Sequence, residues 1–214
     1  MPMPSELLDG YRRFRSGRYT HEVERYLKLA GGQSPSTMII ACADSRVDPA
    51  TIFAAGPGEL FVVRNVAALV PPYEAGGGYH GNSAAVEFAV EGLGVENILV
   101  MGHSFCGGVQ AAIAAASDQP VGEFIRPWVG LLSDARDALL RGPSQFMTPE
   151  ALQHEMESVA VRVSLENLMT FHFVRKAVEA GKLRLHGARF SIAAGELQWR
   201  NRQTGQFETV SSGE

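Results

Sequence analysis

Cysteine is almost missing from this 214-residue chain, occurring only as Cys42 and Cys106. Two cysteines allow at most one disulfide, so a small scaffold held together by several bridges is excluded. Long apolar runs are also missing. None approaches the roughly 18 residues that would span a bilayer, and the Met1-Pro2-Met3-Pro4 start lacks the charged-then-apolar layout of a secretory signal. Basic clusters are lacking too: net charge is −4, with Lys and Arg scattered, which argues against a nucleic-acid surface as the main business of the chain. No internal repeat or low-complexity segment is present. The expectation is a soluble, cytoplasmic protein. A hydrophobic content of 45% over this length supports one substantial core and a single domain.

The two cysteines stand in similar places. Cys42 follows the apolar run Thr37-Met38-Ile39-Ile40-Ala41 and opens Cys42-Ala43-Asp44-Ser45-Arg46. The run Asn97-Ile98-Leu99-Val100-Met101-Gly102 leads into His103-Ser104-Phe105-Cys106-Gly107-Gly108. Both runs read as buried strands of a parallel sheet, whose ends can bring two thiolates and an imidazole to one crevice. Three soft or borderline ligands with a fourth position open describe catalytic zinc rather than a closed structural site. A disulfide is the competing use of the cysteines; the neighbouring histidine and the lack of a signal favour metal or thiolate chemistry.

The rest of the chain predicts a single-domain α/β protein with a central, mostly parallel sheet flanked by helices. An amphipathic helical arm spans about residues 1–30 with a break near Gly17, an α/β core runs from 31 to 200, and a loose polar tail covers 201–214. Strands are expected at Thr37–Ala41, Leu60–Arg64, Asn97–Gly102 and Leu183–His186, with a hairpin of Arg189–Ala193 and Glu196–Arg200 around Gly195. Helices are expected at Ser83–Leu93, from Gly107 to Ala116, over Val121–Leu140 and over Glu150–Ala180. Gly142-Pro143 and Thr148-Pro149 interrupt the last two, and Thr148 is placed to cap the helix after it.

With these motifs in place, the sequence resembles the β-class carbonic anhydrases, especially their plant-type branch. The resemblance rests on Cys42 to Arg46, on Pro57-Gly58-Glu59 through Phe61-Val62-Val63-Arg64-Asn65-Val66-Ala67, on Val70-Pro71-Pro72-Tyr73, on Ala85-Val86-Glu87-Phe88-Ala89-Val90, and on Gly102-His103-Ser104 with Cys106-Gly107-Gly108. It implies one zinc ion per chain on Cys42, His103 and Cys106, with Asp44 and Arg46 as a carboxylate–guanidinium pair beside it. The implied reaction is reversible hydration of carbon dioxide to bicarbonate and a proton by attack of zinc-bound hydroxide. Phe61 then lines the substrate pocket with Phe88. Gly107 and Gly108 have two readings: they leave room there and offer N–H groups at a helix N-terminus to an anionic product, or they simply make a tight strand-to-helix turn. The implied assembly is a homodimer or a dimer of dimers in which the arm packs on a partner subunit.

The chain also departs from that family. Gly56 stands where plant-type members carry glutamine, Phe88 where they carry tyrosine, and Gly92 where some carry histidine. Ile39 replaces the tryptophan with which, in the allosteric branch, the arginine equivalent to Arg64 forms a bicarbonate site. Two other readings compete: a carbonyl sulfide or carbon disulfide hydrolase on the same fold, and a non-catalytic zinc-stabilised module in which Asp44 closes the coordination shell. Among other histidines, His80 is the candidate for a proton shuttle at the rim, weighed against a loop residue with no chemical task, and His186 is expected to make a structural hydrogen bond.

Overall fold

A computed structural model describes residues 3–76, 78, 80–117, 119–142 and 146–211. Part of the expected loop at Gly77 and Tyr79, the Pro143 break and residues 212–214 of the expected tail lie outside the described residues.

The chain opens with the helices α1 (Ser5–Ser16), α2 (Arg18–His21) and α3 (Val23–Leu29), separated near Gly17 as the sequence predicts. None of the three contains a buried residue. The end of the arm touches the core: Arg25 donates to the Pro57 carbonyl at 3.0 Å and pairs with Glu59, while Leu29 packs against Gly58.

The core follows as β1 (Thr37–Cys42), the short α4 (Pro49–Ile52), β2 (Leu60–Asn65), a 3-10 turn at Val66–Ala68, α5 (Gly81–Glu87), a π-helical turn at Phe88–Leu93 and β3 (Asn97–His103). After it come α6 (Gly107–Ala114), α7 (Ile125–Val129), a 3-10 turn at Gly130–Leu132, α8 (Ser133–Arg141), α9 (Pro149–Leu168), α10 (His172–Glu179), β4 (Arg184–Ser191), β5 (Glu196–Arg200) and β6 (Phe207–Thr209). Thr148 accepts from the Ala151 N–H at 3.2 Å with Pro149 in the first helical turn, so α9 starts where its capping signal lies.

These strands form one sheet in the order β2-β1-β3-β4-β5-β6, parallel from β2 to β4 and antiparallel beyond. From β1 the chain steps to β2 on one side and then to β3 on the other. The C-terminal ends of β1 and β3 therefore flank a topological switch point, where open α/β sheets form their crevices. Both central strands are covered on two faces. Met38, Ile40, Ile98 and Val100 face Val161, Leu168 and Val174, whereas Ile39, Ala41, Leu99 and Met101 face Ile52, Phe53 and Trp199.

Three local expectations need correction. The segments predicted as Leu183–His186 and Arg189–Ala193 are one continuous strand, β4, because Gly187 is there for packing: a Cβ on it would lie 2.9 Å from Val161 and 3.1 Å from Leu165 of α9. Past Asn201, Phe207–Thr209 pairs with β5 in place of a loose tail, and the Val210 N–H donates to the Leu197 carbonyl at 2.8 Å. The helix expected over Ser83–Leu93 starts at Gly81 and widens to π geometry from Phe88, ending at Gly94 in the left-handed region with φ 67°.

Candidate metal centre

Cys42 is the last residue of β1 and His103 the last of β3, and Cys106 caps the start of α6. Their ligand atoms all lie within 4.8 Å of one another and all three residues are buried. The two sulfurs are 3.9 Å apart and unbridged. Two Zn–S bonds of about 2.3 Å at a tetrahedral angle would set sulfurs about 3.8 Å apart. Nδ1 of His103 lies 2.9 Å from the Ser104 carbonyl, which fixes it as the donor and turns the Nε2 lone pair inward. That Nε2 is buried with no hydrogen-bond partner. A buried imidazole nitrogen facing two free thiols fits a thiophilic metal such as zinc.

The backbone around the sulfurs is shaped for anions. The backbone N–H groups of Asp44 and Ala67 favour a thiolate at Cys42, and those of Gly108 and Val109 favour one at Cys106. Ala67 and Phe105 both take left-handed φ values, 66° and 55°, that non-glycine residues rarely adopt. The Cys106 hydrogen bond, aided by His103 and those amides, lowers the Cys42 thiol to about 4. The same bond to Cys42, with burial and the charge on that sulfur, pushes Cys106 up. Burial opposes a charge on His103, but the adjacent Cys42 thiolate outweighs it and the net shift is upward.

Asp44 faces this cluster with Oδ2 3.8 Å from His103 Nε2, yet it is turned toward Arg46. Arg46 donates through Nε at 2.9 Å to one carboxylate oxygen and through Nη2 at 2.7 Å to the other, a bidentate pair that holds Asp44 well below the usual carboxylate range. Arg46 also reaches the Phe105 carbonyl at 3.3 Å, tying the two ligand-bearing turns together. Behind them, Arg64 donates to the carbonyls of Cys42 at 2.9 Å and Asp44 at 2.5 Å and faces Asp48 at 3.5 Å.

The other predicted site residues divide. Gly108 sits where a Cβ would meet Val66 at 2.6 Å and Ala67 at 2.9 Å, so its role is close approach of α6 to the 3-10 turn; Gly107 faces open space. Phe61 and Phe88 pair with ring centroids 5.8 Å apart, but Phe61 lies beside Met38 in the register, about 13 Å along the strands from Cys42. The Phe88 ring covers Gly92, where a Cβ would be 3.1 Å from it, so two of the departures from the plant-type pattern are one packing unit. Missed by sequence reasoning are Glu157, Gln153 and Arg189, which back the Cys106 turn. The available signal was Glu157 falling on the same helical face as Ala160, Val161 and Ser164, all buried.

A crevice at the switch point with two thiols, an imidazole and an ionised acid–base pair defines the class of α/β proteins with a candidate metal centre. The comparisons narrow that class. A family model described as carbonic anhydrase matches residues 37–197. Beta carbonic anhydrase 5, chloroplastic, of Arabidopsis thaliana is 39% identical over 84% of this chain, and the match spans only 58% of the relative's own length. Beta carbonic anhydrase 3 of the same plant is 36% identical over 87% of this chain and 72% of its own. Among solved structures, the β-carbonic anhydrase CcaA superposes with a TM-score of 0.89 at 30% identity, covering 96% of this chain and 98% of that one. A tetrameric β-carbonic anhydrase of Sordaria macrospora gives 0.80 at 29% identity, covering 91% and 94%. The chain belongs to the β-carbonic anhydrase family.

Proposed function

We propose that the protein catalyses CO2 + H2O ⇌ HCO3− + H+ with zinc held by Cys42, His103 and Cys106. When bound, zinc supplies Lewis acidity and makes water a usable nucleophile near neutral pH. The chain's own residues supply orientation. Asp44, kept anionic and acceptor-only by Arg46, can take a hydrogen bond from the attacking water and aim its lone pair at carbon. The observation that carries this reading is the bidentate Asp44–Arg46 pair beside a buried, unpartnered His103 Nε2. A non-catalytic module would have Asp44 turned onto the ligand set; here Arg46 holds it away.

Arg64 supports an open site as well. Its guanidinium is engaged by the Cys42 and Asp44 carbonyls and faces Asp48, and Ile39, two residues before its register partner Ala41, is packed in the core with no polar atom to offer. Phe61 and Phe88 can line a substrate crevice only across an interface, given their distance from the cluster in one chain. The proposed assembly is accordingly a homodimer or larger, with residues 1–30 as an arm laid on the partner. A cytoplasmic location is part of the proposal: two free, buried thiols suit a reducing compartment, and no helix among the described residues is long and apolar enough to cross a membrane.

Stopped-flow hydration of carbon dioxide by purified, zinc-analysed protein, with carbonyl sulfide run in parallel, tests the reaction. The expected result is rapid hydration at about one zinc per chain. Zinc-loaded protein that turns over carbonyl sulfide but not carbon dioxide would replace the proposal.

A further inference from the structure

The Cys106 turn is gripped from behind by a buried charged network. Glu157 on α9, 2% exposed, accepts through Oε1 from the Cys106 N–H at 3.2 Å and from Gln153 Nε2 at 2.9 Å. Gln153 Nε2 also donates to the Cys106 carbonyl at 3.1 Å, so both backbone groups of the ligand residue are held from one helix. The second Glu157 oxygen faces Arg189 of β4 at 3.6 Å, and Arg189 is itself only 4% exposed. Arg189 is tied down by Gln198 at 3.0 Å, by the His154 carbonyl at 3.1 Å and by the His154 ring.

This arrangement requires unusually close packing of α9 on the sheet. Val161, one turn beyond Glu157, fits only because Gly102 and Gly187 lack side chains: a Cβ on either would lie 2.9 Å from it. A buried ion pair is a poor device for stability alone, since apolar residues of the same volume do as well or better. The adjoining cavity of about 720 Å³, bordered by Ser104, Glu157 and Arg189, offers a ligand little, because the guanidinium is already engaged by Gln198, His154 and Glu157. What the network does touch is the backbone of a metal ligand.

We infer that Glu157 is a positioning residue for Cys106, with Gln153 as its link to the carbonyl side and Arg189 as its countercharge, so that the network sets how tightly and in what geometry the cysteine meets the metal. This rests on the metal-centre reading. Partners of this kind behind a ligand are typically worth about 10- to 100-fold in metal affinity.

The test uses full-length protein stripped of metal and titrated with cobalt(II), reading the sulfur-to-metal charge-transfer and d–d absorption. Zinc affinity is measured by competition with a chromophoric chelator, and thermal unfolding is measured on the metal-free form. Glu157→Gln keeps an acceptor but loses the charge, and should weaken zinc binding about 10- to 100-fold and shift the cobalt spectrum. Gln153→Ala leaves the buried pair intact and should weaken binding by a smaller factor with metal-free stability nearly unchanged; it carries the test if Glu157→Gln does not fold. The double variant Glu157→Gln/Arg189→Met should recover metal-free stability but not zinc affinity. Wild-type affinity and spectrum in Gln153→Ala and Glu157→Gln, or affinity that returns with stability in the double variant, would make the network structural and overturn the inference. Failure of the wild-type protein itself to bind either metal would overturn the metal-centre reading, and the inference with it.

Discussion

The crevice between β1 and β3 and the arm of α1–α3 are opposite kinds of surface. In the crevice almost every polar group is answered from within the chain: Arg46 holds Asp44, Arg64 holds the turn carbonyls, Glu157 and Gln153 hold Cys106, and His103 Nε2 alone has no hydrogen-bond partner. In the arm nothing is buried, and Leu7 and Tyr11 stand 64% and 57% exposed. The difference separates two kinds of surface. The crevice gathers soft ligand atoms around one point, whereas the arm sets out apolar side chains along its helices. Perturbing each should leave the other standing.

The largest effect is expected at the ligands. Cys42→Ser or Cys106→Ser should lower zinc from about one per chain to a small fraction and bring hydration to background, checked by metal analysis and stopped flow. Stoichiometric zinc with full activity in either variant would remove the centre from this crevice. Assembly by light scattering should not change, because no arm contact runs through these residues.

Asp44→Asn cuts more finely. Zinc content should stay near wild type while hydration falls about 100-fold, the usual scale of a positioned proton acceptor. Asparagine offers Arg46 one acceptor oxygen in place of two and leaves the guanidinium without a countercharge. An unchanged rate would make the pair a structural element of the turn.

These predictions rest on residues that were legible in the sequence, and the reason is local. Cys42 with Asp44 and Arg46, and His103 with Cys106, each sit in one short turn after a strand, so motif and geometry coincide. Glu157 lies 51 residues from Cys106, in a helix where a glutamate ordinarily reads as solvent-facing; only the packing that Gly102 and Gly187 allow turns it inward. The two strands expected at Leu183–His186 and Arg189–Ala193 leave Gly187 between them, and a glycine needed for close approach looks in sequence like a glycine needed for a turn. Phe61 and Phe88 were legible as apolar but not as distant from the cluster, since strand register, not spacing, decides which end of the sheet a residue occupies.

The arm should respond to its own apolar residues. Leu7→Ser/Tyr11→Ser is expected to shift the protein toward a smaller species in size-exclusion chromatography with light scattering at micromolar concentration, with zinc per chain unchanged. A wild-type monomer of full activity would break the comparison from the other side, showing that the arm's exposed residues have no partner to meet. Smaller still is the effect of overfilling behind the sheet. Gly187→Ala places a Cβ 2.9 Å from Val161 and should cost about 1–3 kcal/mol of stability, measured by denaturant unfolding; a neutral result would mean that α9 shifts freely on β4.

The smallest expected effect concerns His186, which lies in β4 on the Trp199 side of the sheet with ring centroids 5.2 Å apart. Its Nε2 is 3.0 Å from Asn97 Oδ1, an acceptor, so Nε2 carries the proton and Nδ1 holds the lone pair. Nδ1 is buried with no partner, and a proton added there would have nowhere to donate. Burial, reinforced by the charges of Arg202 and Arg184, accordingly holds His186 below the ordinary histidine value. The unfolded chain therefore takes up this proton first as pH falls. Stability from the neutral ring is fully present above the ordinary histidine range, near 6.5, and is lost progressively below it. His186→Gln keeps a donor for Asn97 but cannot titrate, so its thermal midpoint should fall less steeply between pH 7.5 and pH 5.5 than that of the parent. Proton competition at the metal ligands also acts in this range, but it acts on both proteins, and the difference between the two curves isolates the imidazole. Parallel curves would show that His186 is reached by water or protonated in the folded sheet, and that the interior beside β4 is less closed than the crevice beside β1.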